Sequence, residues 1–136
     1  MDPEKASQLR SACVWGAVLT VLHFALGTRT HAVHGLHILL AGLFLVPVIL
    51  AAAAMERRGG LVAAAAVSVA YLAHLLWSWR GSAFVNADQF AWPLVYAVVG
   101  LTSGHLVHAA NFRKWQRDEV IRRAYEEEQR RKGTPP

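Results

Sequence analysis

Seven histidines stand in a chain of 136 residues that is 54% hydrophobic and only 17% charged. Imidazole is a common metal ligand, an axial ligand of haem and a proton carrier, so the positions of these residues decide what chemistry the chain can hold. His23, His37 and His74 lie inside three different apolar runs, each near the end that faces the same way. At 1.5 Å of helix rise per residue, each sits roughly 5 to 8 Å below that boundary, so three imidazoles share one level. His31 and His34 lie in the short segment just above it, and Asn86, Asp88 and Gln89 in a second connecting segment can fold over the same place. His105 and His108, one turn apart at the opposite end of the last run, read as interfacial residues.

The elements that must position these side chains are the apolar runs themselves: Ser11 to Gly27, His34 to Met55, Leu61 to Trp79 and Ala91 to Ala110. Each spans about 17 to 22 residues, which as helix matches a bilayer core of roughly 30 Å. Between Ser11 and Ala110 the charged residues are Arg29, Glu56, Arg57, Arg58, Arg80 and Asp88, all in breaks between runs. A water-soluble domain needs polar faces throughout, so an ordinary globular enzyme is excluded. No cleavage site followed by a soluble domain marks the first run as a secretory signal, and it is read as a retained span. The single Cys13 forms no disulfide framework and reads as a small packing residue. The expected fold is an all-α membrane protein: an up-down-up-down four-transmembrane-helix bundle over residues 1–110, then a cytoplasmic amphipathic helix and tail over residues 111–136.

Four spans put both termini on one side together with the Met55 to Gly60 loop. That side carries twelve of the basic residues, among them Lys5, Arg10, Arg57, Arg58, Arg113 and Lys114, and the other carries only Arg29 and Arg80. The bias places both termini in the cytoplasm, in a bacterial inner membrane. Trp77, Trp79 and Trp92 at the outer ends, with Trp15 and Trp115 toward the inner ends, agree with aromatic belts. The formal charge of +5 is then a topology signal directed at anionic lipid headgroups, and nucleic acid is not an expected partner. In the tail, Val120, Ile121, Ala124 and Tyr125 form a narrow apolar stripe. That stripe suits a helix lying near the headgroups or docking on another protein subunit. The periplasmic loops are a second surface for partners.

Spacing also addresses facing. Gly16, Thr20, His23 and Gly27 recur at steps of four, three and four on the first helix. Ala63, Ala66, Ala70, His74 and Ser78 recur similarly on the third, and His37 continues to Ala41 on the second. Small residues let helices approach closely in lipid, so these stripes are expected to be interior seams that turn the histidines toward one another. Gly100 and Gly104 give the last helix a similar edge. Three readings of the cluster follow. It holds a transition metal ion through His23, His37 and His74, with His34, Asp88 or water as a fourth ligand, or haem b through His23 and His74. It is a polar or protonatable site without metal. Or each histidine is separately wetted by headgroup water or bonded to a neighbouring helix.

The run from Leu22 to Arg117 resembles the four-helix membrane sensor region of a group of bacterial sensor histidine kinases. The resemblance lies in Leu22-His23-Phe24, His34 with Leu36-His37, Leu45-Val46-Pro47-Val48-Ile49 and Arg58-Gly59-Gly60-Leu61. It continues in Tyr71-Leu72-Ala73-His74, in Asn86 and Gln89, and in Val98-Val99-Gly100-Leu101-Thr102-Ser103-Gly104. It implies a membrane input module whose His23, His37 and His74 form the sensing or binding site. Neither a phosphoacceptor segment nor a Gly-rich nucleotide loop is present, so the expectation is such a module without the kinase. It would be sensor-like, stand-alone, and act through partner proteins. The alternative is a haem b- or quinone-associated anchor subunit of a periplasm-facing redox complex. His105 and His108 share one helix and cannot clamp opposite faces of a second haem.

Overall fold

A computed structural model describes residues 2–26, 34–78 and 87–133, with the backbone alone at 34, 78, 87 and 88. No strand occurs among the described residues. They form α1 (Pro3–Leu26), α2 (His34–Leu43), α3 (Leu45–Ser78), a 3-10 turn (Ala87–Ala91) and α4 (Trp92–Arg131). Pro3 begins α1 where its missing N–H costs nothing, and the Asp2 carboxylate accepts the Glu4 N–H at 3.1 Å as an N-cap. Pro93 occupies the equivalent first turn of α4.

The second apolar run is divided. Pro47 lacks an N–H, and its ring crowds the carbonyl four residues back, at Leu43. Helical geometry lapses accordingly at Phe44, one turn before the proline, while Phe44 N–H still donates to Leu40 O at 3.2 Å. Pro47 thus interrupts the helix upstream of itself, between Leu43 and Leu45.

The loop expected over Met55 to Gly60 is shorter than the sequence suggested. Only Met55 (φ −128°, ψ 17°) and Glu56 (φ 55°, ψ −140°) leave helical geometry, and helix resumes at once. The chain doubles back there: a Cβ on Gly59 would stand 2.1 Å from the Ala51 carbonyl oxygen, eight residues earlier. A straight helix would separate those residues by about 12 Å. Gly59 and Gly60 make the tight reversal feasible, because only bare backbone fits against Ala51 on one side and Gly100 on the other.

The core is built from Leu19 of α1, Leu40 and Ala41 of α2, and Tyr96 of α4, with Val48, Ala64, Val67, Tyr71 and Leu75 of α3 and Phe44 between α2 and α3. Outside it, the helices are as apolar as within: Val21, Val62, Val69, Leu76, Trp77 and Leu94 are each exposed by two thirds or more. A protein in water would not display such continuous apolar cover, whereas lipid requires it. Three helical stretches, Pro3–Leu26, Gly35–Trp77 and Gln89–Arg131, are long and apolar enough to cross a membrane. Beyond Phe112 the helix α4 buries nothing fully. Its polar surface is laced by Glu119–Arg122, Glu119–Arg123, Arg122–Glu126 and Glu128–Lys132 pairs at helical spacing.

Candidate metal centre

His23 lies one turn before the end of α1, His37 in the first turn of α2 and His74 one turn before the end of α3. All three are buried, with exposures of 1%, 4% and 0%, although the surrounding helix surface is largely open. Each offers a ring nitrogen such that the three ligand atoms lie within 4.8 Å of one another. Ring centroids are 3.9 Å apart for His23 and His37, 4.4 Å for His23 and His74, and 4.7 Å for His37 and His74. Both nitrogens of His23 are buried with no hydrogen-bond partner among the described residues. A buried polar atom without a partner is costly, and the protein gains by satisfying it with a ligand.

The walls are aromatic. Phe44 and Tyr71 stand 5.6 Å and 5.4 Å from the His23 ring, and Phe24 stands 4.9 Å from that of His74. The Tyr71 hydroxyl donates to Gln89 Oε1 at 2.6 Å, which brings a residue of the second connecting segment, itself buried, to the edge of the cluster. Tyr96 packs 6.1 Å from Tyr71 and donates to the Ala41 carbonyl at 2.8 Å, satisfying an acceptor in the last turn of α2. His31 and Asn86, and the side chains of His34 and Asp88, lie outside the described residues.

The seams differ in part from the expected stripes. On α3 the buried face is Ala64, Val67, Tyr71, His74 and Leu75, while Ala66 is exposed and Ala63 and Ala70 are only half-buried. On α1 the buried residues are Ala12, Leu19 and His23, with Gly16 and Thr20 half-buried, and the Thr20 hydroxyl returns to Gly16 O at 2.7 Å. The Tyr71 and Tyr96 contributions were not drawn from the sequence. Their signal is that they are the tyrosines placed inside apolar runs, where a hydroxyl needs a partner.

A second polar constellation closes the opposite end. The Glu56 carboxylate accepts from His108 Nδ1 at 2.6 Å and from the Asn111 amide at 2.9 Å, while Arg57 donates to His105 Nδ1 at 2.6 Å. The hydrogen bonds from Asn111 and then His108 hold the Glu56 carboxyl below the ordinary carboxylate range. Desolvation works against this, and the charges of His108 and Lys5 add lesser effects in the same direction as the hydrogen bonds. His105, His108 and Asn111 recur every three residues opposite the reversal, a pattern that the sequence carries but that reading them as interfacial passed over.

The chain matches no family model, no curated protein and no solved structure.

Proposed function

We propose that this chain is a sensor-like membrane module of the bacterial inner membrane, with four spans and both termini in the cytoplasm. In this reading it binds a metal ion through His23, His37 and His74 and passes the bound state to partner proteins along the cytoplasmic part of α4. The observation that carries the reading is the convergence of three buried imidazoles from three helices, within 4.8 Å, in a chain whose membrane-facing surface is apolar. Around one ion with metal–nitrogen bonds near 2.0–2.1 Å, the nitrogens would lie about 3.3 to 3.5 Å apart, a separation that this cluster can adopt with small ring movements.

The ring packing favours an ion over haem. A macrocycle between His23 and His74 would extend through ground held by the His37, Phe44 and Tyr71 rings, all within 5.6 Å of the His23 ring. The polar contacts at the Glu56 reversal support a role for α4 as the transmitting element, because they tie its cytoplasmic end to the turn between the two halves of α3.

The test is elemental analysis and absorbance of purified protein in detergent. Replacing His23, His37 or His74 by Ala is expected to lower the bound metal to background, and His108→Ala to leave it unchanged. Equal metal content in all four variants would refute the site; a Soret band would replace the ion with haem.

A further inference from the structure

Beyond the membrane, α4 offers one face to a partner, and we propose that this face docks an acidic amphipathic helix of another protein. The carboxylates of that helix meet Arg113 and Arg117, and its apolar side chains meet Val120, Ile121 and Ala124. The inference rests on the reading of α4 as the transmitting element and adds the chemistry of what receives the signal.

With 3.6 residues per turn, Arg113, Arg117, Val120 and Ala124, at steps of four, three and four, share one face of the helix. Ile121 stands beside them, and Arg113, Gln116, Arg117, Val120 and Ile121 line a shallow groove. Val120 and Ile121 are each exposed by two thirds. The opposite side of the helix already carries its own counter-charges: Glu119 pairs with Arg122 and Arg123, and Arg122 with Glu126. Among the described residues, Arg113 and Arg117 have no carboxylate partner, and the Arg113 Nε donates to the Ala109 carbonyl one turn back at 3.3 Å. Two guanidinium groups thus border an exposed apolar stripe on the face that the ion pairs leave open.

Lipid does not reach this stripe. The helix α4 runs unbroken over 40 residues. A bilayer core of roughly 30 Å takes up about 20 of them, from Trp92 to about Asn111. The headgroup layer adds roughly 5 to 8 Å, whereas Val120 and Ile121 stand about 13 to 15 Å beyond Asn111 along the helix. A second copy in the same membrane is a poor occupant for a different reason. Two parallel α4 helices packed on this face would set Arg113 against Arg113 and Arg117 against Arg117, and Glu127, three residues after Ala124, against Glu127. Like charges facing each other across a seam oppose pairing. Carboxylates opposite Arg113 and Arg117 remove that repulsion and match the planar fork of each guanidinium.

The test uses the full chain in phosphatidylcholine nanodiscs with two fluorescein-labelled helical peptides. One has a Leu seam flanked by Glu, and in the other every Glu is replaced by Lys. Anisotropy is expected to show the acidic peptide binding about tenfold tighter than the basic one, with the preference fading as salt rises. Arg113→Glu combined with Arg117→Glu should reverse the preference, and Val120→Ser combined with Ile121→Ser should weaken acidic-peptide binding about tenfold. If the charge reversal fails to fold, as judged by helical circular dichroism, Arg113→Gln with Arg117→Gln replaces it and should abolish the preference. Equal binding of the two peptides, or a preference that these arginine variants leave unchanged, would overturn the inference. So would either rival occupant, detected on Val120→Cys in a Cys13→Ala background. A second copy would give quantitative disulfide crosslinking in proteoliposomes, and lipid would blue-shift a bimane label when phosphatidylglycerol is included without peptide. Acidic-peptide affinity that is the same in the unaltered chain and in His23→Ala would sustain the docking face and detach it from the histidine cluster. Metal held by the cluster with neither peptide bound would overturn the docking face and leave the metal centre standing.

Discussion

At Gly100 a single methyl group should be costly, because the backbone of the opposing segment already fills the space it would take. A Cβ there would stand 2.5 Å from the Gly60 carbonyl oxygen, 2.9 Å from its carbon and 3.1 Å from Val48 Cγ1. Two of the three obstacles are backbone, which cannot rotate away as a side-chain tip can. To reach ordinary contact, α4 would have to retreat by about 1 Å from the reversal of α3, losing close packing along the whole seam. Overpacking of this kind costs about 1 to 3 kcal/mol, from which the better helix propensity of Ala recovers about 0.5 to 1. A net loss of about 1 to 2 kcal/mol is expected for Gly100→Ala. Gly16 provides the control, since a Cβ there meets its nearest atom, Pro47 Cβ, at 3.9 Å. Gly16→Ala should be neutral or stabilising by several tenths of a kcal/mol, so the two variants should differ by about 2 kcal/mol, roughly thirtyfold in the unfolding equilibrium. Reversible unfolding in mixed micelles with increasing dodecyl sulfate, followed by circular dichroism, measures this difference. Metal stoichiometry should not change in Gly100→Ala, because α4 supplies no histidine to the cluster. Equal stabilities for Gly100→Ala and Gly16→Ala would refute the close approach of Gly100 to Gly60.

Glu56→Ala and Glu56→Gly both delete the bonds to His108 and Asn111, but glycine also relieves the positive φ of 55°. The glycine variant should be the more stable of the two by about 1 kcal/mol in the same unfolding assay. Because the folded-state pKa of Glu56 lies below its unfolded value, its stabilisation is present above the ordinary carboxylate range and fades as pH falls through the lowered value. The stability gap between unaltered protein and Glu56→Gln should therefore shrink on acidification, as melting temperatures across a pH series would report. Tyr96→Phe leaves the Ala41 carbonyl without this hydroxyl and should cost about 1 to 2 kcal/mol. Cysteine labelling at positions 30 and 133 should reach Thr30→Cys from the periplasm and Gly133→Cys only after permeabilisation; labelling of both from outside would reject cytoplasmic termini.

How much of this was legible in the sequence follows from which quantities are local. That His23, His37 and His74 lie near ends of their helices depends only on helix rise and the lengths of apolar runs, and it could be read without knowing any neighbour. The close-packing edge at Gly100 and Gly104 was likewise visible, since both glycines are buried and a Cβ on either would strike backbone of the opposing segment. Facing was harder. In water, periodic polarity marks the exposed side of a helix, but here Val62, Val69 and Leu76 on the outside of α3 are as apolar as Val67 and Leu75 inside it. With the amphipathic signal absent, small residues had to stand in for the seam, and Ala63, Ala66 and Ala70 missed it by about one position relative to Ala64, Val67 and Tyr71.

The reversal at Met55 and Glu56 illustrates a second kind of limit. Charge at Glu56, Arg57 and Arg58 and the paired glycines after them marked a break, yet its length is set by what Gly59 and Gly60 touch, namely Ala51 and Gly100. Gly100 is forty residues farther along the chain, and no local pattern encodes that contact. The same non-local packing turns His105, His108 and Asn111 from residues at a helix end into partners of the turn. Polar chemistry is thus concentrated at the two ends of the helices, with His23, His37 and His74 at one end and His105 and His108 bonded to Arg57 and Glu56 at the other.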